Sequence, residues 1–258
     1  MIKLEHVVLA SPEQMAFIIE GMRNPMNSWE KSDSKADPDD IGTCDEFILG
    51  KNDHSLMQRL AKAGTEHRKY MRMMSVYVRI TAPLYWWKEF DTYKIGTVAN
   101  SCSTMHKIAE KEFTFEDFSC EHLISNPSMD ESDTSVSDAE GYMHYEPREI
   151  YSDWIIPSLN KCRNKYLETK DKKYWWQMIQ LLPSSYNQTR NVMMNYEVLA
   201  NIYKSRKNHK LYEWCVFCKW IEELPYSELI IGEKAYINKI FGLGIDLSNA
   251  PDFSSKEK

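Results

Sequence analysis

The sequence has no apolar run of membrane-spanning length. A bilayer helix needs about 20 consecutive apolar residues, and none occurs in this 258-residue chain. It has no basic stripe either. The formal net charge is -6, from 38 acids and 32 bases mixed along the chain. That argues against a general nucleic-acid binder, which gathers Lys and Arg on one face, although a local basic pocket for a small anion stays open. The opening MIKLEHVVLASPEQ is too polar, and its apolar part too short, for a secretory signal. A cytoplasmic protein is therefore expected, with neither a membrane nor a nucleic acid as partner. There is no disulfide framework to read. Cys44, Cys102, Cys120, Cys162, Cys215 and Cys218 are scattered in a chain that needs no staples, and reduced thiols are expected. Cys215 and Cys218 form a Cys-x-x-Cys pair, but no second pair follows and only His209 lies close by, so no metal site is expected. Leu211, Trp214, Cys215, Cys218 and Ile221 fall on one helical stripe, which reads as core packing. No internal repeat is present.

What remains is a globular composition, 43% hydrophobic, enough for a sizeable core. IKLEHVVLA alternates as a first strand, and SPEQMAFIIEGM follows as a helix with Ser11 as N-cap and Pro12 at its first position. Residues 24–43 are polar with two prolines and read as a loop, either a solvated connection or a flap over a site. DHSLMQRLAKAG is a helix that Asp53 would cap and Gly64 would end. Met74, Val76, Val78 and Ile80 alternate with Ser75, Tyr77 and Arg79, a strand with one apolar face that Pro83 ends. LYWWKEFDTYK suits a helix. Residues 125–141, SNPSMDESDTSVSDAEG, are an acidic insertion that cannot build a core and is expected to be flexible. The remainder reads as mainly helical, with Pro157 starting or kinking a helix. The class is mixed α and β, with one sheet early and helices later.

Between these elements lies KIGTVANSCSTMH. Thr97, Asn100, Ser101, Ser103 and Thr104 crowd into eight positions around Cys102. Such side chains fit two roles: a close-packed turn, or a site that grips phosphate or sugar oxygens.

Two blocks of the chain, under a third of its length, resemble the flavin-dependent thymidylate synthase family. The first runs from Gly64 to His106, with His67 at the family's Gly-His element, ITAP at its strand end and a tryptophan-containing helix after it. The second is IQLLPSSYNQTRNVMMNYEVLANIYKSRKNHKLYEW, where Leu182, Pro183, Asn195, Leu199, Asn201 and Arg206 match. The resemblance implies an antiparallel sheet with a helical second half, in a single domain over residues 1–258. It implies a homotetramer with sites shared between subunits, FAD as cofactor, and NADPH and methylenetetrahydrofolate as co-substrates. The activity implied is conversion of dUMP to dTMP without an enzyme cysteine attacking the base.

The departures are specific. Thr92, Tyr93 and Lys94 stand where the family has Arg-His-Arg, and lysine lacks arginine's bidentate fork. Asn100 replaces an acid, Cys102 a serine, Thr104 an arginine, and Glu197 the arginine two places after Asn195; Ile179 lies near the place of another lost arginine. The implied nucleotide contacts fall on Lys94, Asn100, Ser101, Cys102, Ser103, Arg190 and Arg206. The implied flavin contacts fall on His67, Tyr93, Asn195 and Asn201. Arg206, eleven residues after Asn195, is about 20° off a common helical face and about 16 Å along the axis. Each arginine could equally form a surface ion pair, and His67 could equally be a core or capping residue. Neutral donors in place of arginines bind anions less strongly. The same substitutions are compatible with an altered pyrimidine C5 chemistry or with a non-catalytic nucleotide-binding or interaction protein on the same fold.

Overall fold

The computed structural model describes residues 1–38, 44–124, 136–137 and 144–232. In chain order they form β1 Lys3–Leu9, α1 Pro12–Arg23, β2 Lys35–Pro38, β3 Cys44–Ile48, α2 Lys51–Lys62, α3 Lys69–Met73, β4 Ser75–Pro83 and α4 Leu84–Phe90. There follow β5 Val98–Ser101, α5 Thr104–Lys107, β6 Val136–Ser137, β7 His144–Tyr145, α6 Pro147–Glu149 and, after a π-helical stretch Ile150–Ile155, α7 Ile156–Thr169. Last come α8 Lys172–Leu181, β8 Asn187–Asn195, α9 Tyr196–Arg206, α10 Tyr212–Glu223 and α11 Glu228–Ile231. The described residues group into two compact units: 1–9, 75–194 and 211–217 in the first, and 10–74, 195–210 and 218–232 in the second.

The first unit is built on a four-stranded sheet of order β1-β4-β8-β5, antiparallel in its β1–β4 and β5–β8 ladders. The alternation expected in β4 is observed: Val76, Val78, Ile80 and Ala82 are buried while Tyr77 and Arg79 are exposed. β1 pairs with β4 through a bulge between Glu5 and Val8, where His6 takes a left-handed φ of 51°. A bulge of this kind redirects side chains. α4 belongs to the core: Trp86, Trp87 and Phe90 are enclosed, and the Trp86 ring lies 4.8 Å from Trp214 and 5.6 Å from Phe217 of α10. A further cluster gathers Phe113, Phe118, Cys120, Leu159 and Met178. In the second unit, α1 begins as read from the sequence, with a Ser11–Gln14 capping box and Pro12 in the first turn. It buries Met15, Ile18, Ile19 and Met22, and α9 buries Val198, Leu199 and Ile202.

Four readings need correction. The half read as mainly helical also gives the sheet a strand, β8 Asn187–Asn195. Its first five residues are polar, so no alternation marks it before Val192 and Met194, and sheet pairing decides its conformation. The hydroxyl-rich stretch is not all loop, since Val98–Ser101 is an edge strand held by β8. Residues 24–43 are not a plain loop either. They hold two single-turn 3₁₀ helices and β2, which pairs with β3, while positions 39–43 lie outside the described residues. Asp53 does not cap α2, which starts at Lys51 after Gly50; it is enclosed instead. The acidic insertion expected at 125–141 lies outside the described residues except Val136–Ser137, which pair with His144–Tyr145. Cys218 is buried, as core packing requires. Among the described residues no helix is long and apolar enough to cross a membrane.

Candidate functional site

In the first unit, β5 and the turn after it carry the hydroxyl-rich residues along the sheet edge. All four β5 side chains are exposed. Asn100 faces Asn191 across the ladder, and Ser101 faces Arg190. The Cys102 amide donates to the Thr189 carbonyl at 2.9 Å, extending the pairing one residue beyond the strand. Ser103 then caps α5: its Oγ accepts from the His106 amide and lies 3.0 Å from His106 Nδ1. Gln188 fixes the turn, donating from Nε2 to the Cys102 carbonyl at 3.1 Å and to Thr104 Oγ1 at 2.9 Å.

This edge separates two concavities. The first, about 480 Å³, lies on the sheet face and takes residues from all four strands. Val8, Tyr77, Val98 and Met193 give it an apolar floor, and Asn100, Asn191, Arg79 and His6 supply polar groups. The second, about 450 Å³, is lined by Cys102, Ser103 and Thr104 with Gln188, Thr189 and Tyr186. Lys107 and Lys111 line it as well, paired with Glu110 and Asp117. Burial, with the nearby Asp117 carboxylate, pushes the Tyr186 phenol up, so it stays a donor at neutral pH. The hydroxyl-rich stretch is thus divided: Asn100 serves one concavity, Cys102 and Ser103 the other. An apolar floor with a few convergent polar groups is the usual form of a small-molecule site.

The remaining sequence-read residues of this unit vary in availability. Arg190 is committed to the protein, with Nε on Gln188 at 2.9 Å, Nη1 on Asp91 at 2.7 Å, and its guanidinium 4.1 Å above the Trp87 ring. Lys94 is exposed and Tyr93 half-buried, near Trp214. Thr97 Oγ1 is buried without a partner among the described residues.

In the second unit, Asn195 closes β8 and caps α9, its Oδ1 accepting from the Val198 amide at 3.0 Å. Asn201 is exposed on α9, and Arg206 ends that helix with Nη1 3.0 Å from His209 Nε2. His67 is exposed on a 3₁₀ turn before α3. Glu197, an acid where an arginine was anticipated, is buried and receives the Arg72 guanidinium of α3 on both carboxylate oxygens. Sequence reasoning missed Gln188, Thr189, Asn191, Lys107 and Lys111. The polar run NQTRN was the only signal for the first three.

By sequence the chain matches no protein-family model and no curated protein. Its fold is that of the flavin-dependent thymidylate synthases. The structure of thymidylate synthase X (ThyX) from Helicobacter pylori with FAD and dUMP superposes with a TM-score of 0.56 at 15% identity, over 91% of this chain and 98% of that one. A second structure of that enzyme complexed with FAD and dUMP gives 0.53 at 15% identity, over 90% and 98%. A UMP/dUMP methylase, PolB from Streptomyces cacaoi bound with 5-Br dUMP, gives 0.49 at 12% identity, over 86% and 88%.

Proposed function

We propose that the chain is a flavin-dependent thymidylate synthase-like enzyme that methylates a pyrimidine deoxynucleotide at C5, dUMP to dTMP. Methylenetetrahydrofolate would be the one-carbon donor and NADPH the reductant. The observation that carries this reading is the fold likeness, which spans nearly the whole of an enzyme solved with FAD and dUMP. The polar edge of the sheet supports it. Asn100, Ser101, Cys102 and Ser103 present neutral donors and acceptors suited to pyrimidine, ribose and phosphate oxygens. Lys94 is the exposed cation proposed for the nucleotide in this unit, and Arg206 is the one proposed in the second.

FAD is the proposed cofactor, by the fold likeness. In the second unit the cap leaves the Asn195 amide nitrogen able to donate to a ring carbonyl, and His67 and Asn201 are exposed polar groups proposed for the same cofactor. When bound, FAD would supply the hydride. Arg72 is proposed to stand in for the arginine that Glu197 replaced, brought to the start of α9 from a different element. The protein's own part is to orient the base by hydrogen bonds and to hold the phosphate by charge-assisted contacts.

A second reading, binding without chemistry, is favoured by one observation. Lys94 is the single cation left at the Thr92–Tyr93–Lys94 element, and Arg190 is engaged by Asp91. The visible absorbance of the purified protein, with and without added FAD, separates the two. A bound-flavin band that survives gel filtration supports the enzyme. A colourless protein that still binds dUMP supports the second reading.

A further inference from the structure

We propose that the second unit carries an anion site of its own, built on Arg23, Lys31 and Arg59, whose ligand is a phosphorylated small molecule. Arg23, the last residue of α1, is a charged group only 4% exposed. Its Nε donates to Asp53 Oδ1 at 2.6 Å and its Nη1 to the Ser28 carbonyl at 3.3 Å. A guanidinium has five N–H donors, and the two on Nη2 have no partner among the described residues. Those two N–H groups are therefore available to an acceptor from outside the protein.

The same guanidinium lines a concavity of about 620 Å³. Lys31 and Arg59 also line it, both exposed and neither in an ion pair or side-chain hydrogen bond among the described residues. Ser28, Asn52 and Ser55 add neutral polar groups, and Met26 and Leu56 an apolar wall. Among the described residues no carboxylate lines the space. Asp53, which pairs with Arg23, is enclosed and turned to internal donors: Ser32, Ser34 and the Asp33 amide all bond its Oδ2. It therefore fixes Arg23 in position without neutralising Lys31 or Arg59. Three cations, one of them rigidly held, converge on a cavity that also has an apolar wall. A phosphate ester with an apolar body matches that chemistry.

The test is calorimetric titration of inorganic phosphate and of phenyl phosphate into the full chain and into the Lys31→Ala, Arg59→Ala and doubly substituted variants. Both substituted residues are exposed, so the fold should persist, checked by circular dichroism. Wild type is expected to bind both probes at one site, phenyl phosphate more tightly. Each single variant should weaken binding about tenfold, the loss of one charge-assisted contact, and the double variant should bind neither probe measurably. No binding to wild type, or binding undiminished in the double variant as a phosphate site elsewhere on the chain would give, overturns the proposal.

Discussion

Asp53 concentrates much of the second unit's polar energetics in one side chain. Burial alone would raise its carboxyl. The hydrogen bonds from Ser34, Ser32, Arg23 and the Asp33 amide outweigh that and hold it below its ordinary value of 3.8. A carboxylate lowered in the folded state stabilises above its unfolded value and loses that contribution as pH falls through the folded value. The urea midpoint of wild type is therefore expected to drop below about pH 4, and that of Asp53→Asn to lack this component of the drop. At pH 7 Asp53→Asn should cost about 3–5 kcal/mol, since Arg23 would remain buried without its counter-ion; an unchanged midpoint would contradict the buried pair. Arg206 belongs to the same scale. If it holds the nucleotide phosphate, Arg206→Ala should weaken dUMP binding about ten- to a hundredfold, corresponding to roughly 1.5–3 kcal/mol for a bond to a charged group. Flavin binding should change less, and Arg206→Lys should recover only part of the loss. Equal dUMP affinity in wild type and Arg206→Ala, by calorimetry, would remove the residue from the site.

Elements differ in how openly they are written in the sequence. α1 is written locally: Ser11, Pro12 and Gln14 mark its start, and the structure shows that capping box. Ser11→Ala should cost about 1 kcal/mol, read as a shift in the denaturation midpoint, and no shift would mean the box is not contributing. β4 is written locally too, because its apolar residues recur with period two. β8 and β5 are not. NQTRN carries no alternation, and VANS is small and polar, so VANS becomes a strand by pairing with β8 about ninety residues away, and β8 by lying between it and β4. The same nonlocality hid most of the candidate site. Cys102 and Ser103 could be picked out by composition, but Gln188, which fixes their turn, reaches them across the ladder. The Arg23–Asp53 pair, thirty residues apart, had no signature either. The two tryptophan-rich segments part company in the fold, which encloses Trp86 and Trp87 and leaves Trp176 exposed.

For the whole molecule, the assembly in question is the homotetramer that the sequence resemblance implies. Trp176 and Trp154 are each about half exposed, at 55% and 54%, and tryptophan is enriched where subunits meet. We expect light scattering to give about four chains per particle at low concentration; a clean monomer would remove any site shared between subunits. The account's central claim is chemical, however: that this chain, with its arginines replaced, still modifies C5 of dUMP. The direct measurement is release of tritium from [5-³H]dUMP incubated with the protein, FAD, NADPH and methylenetetrahydrofolate. The account requires release above background that depends on FAD and on methylenetetrahydrofolate. Absence of release from a folded protein that binds both FAD and dUMP would contradict it.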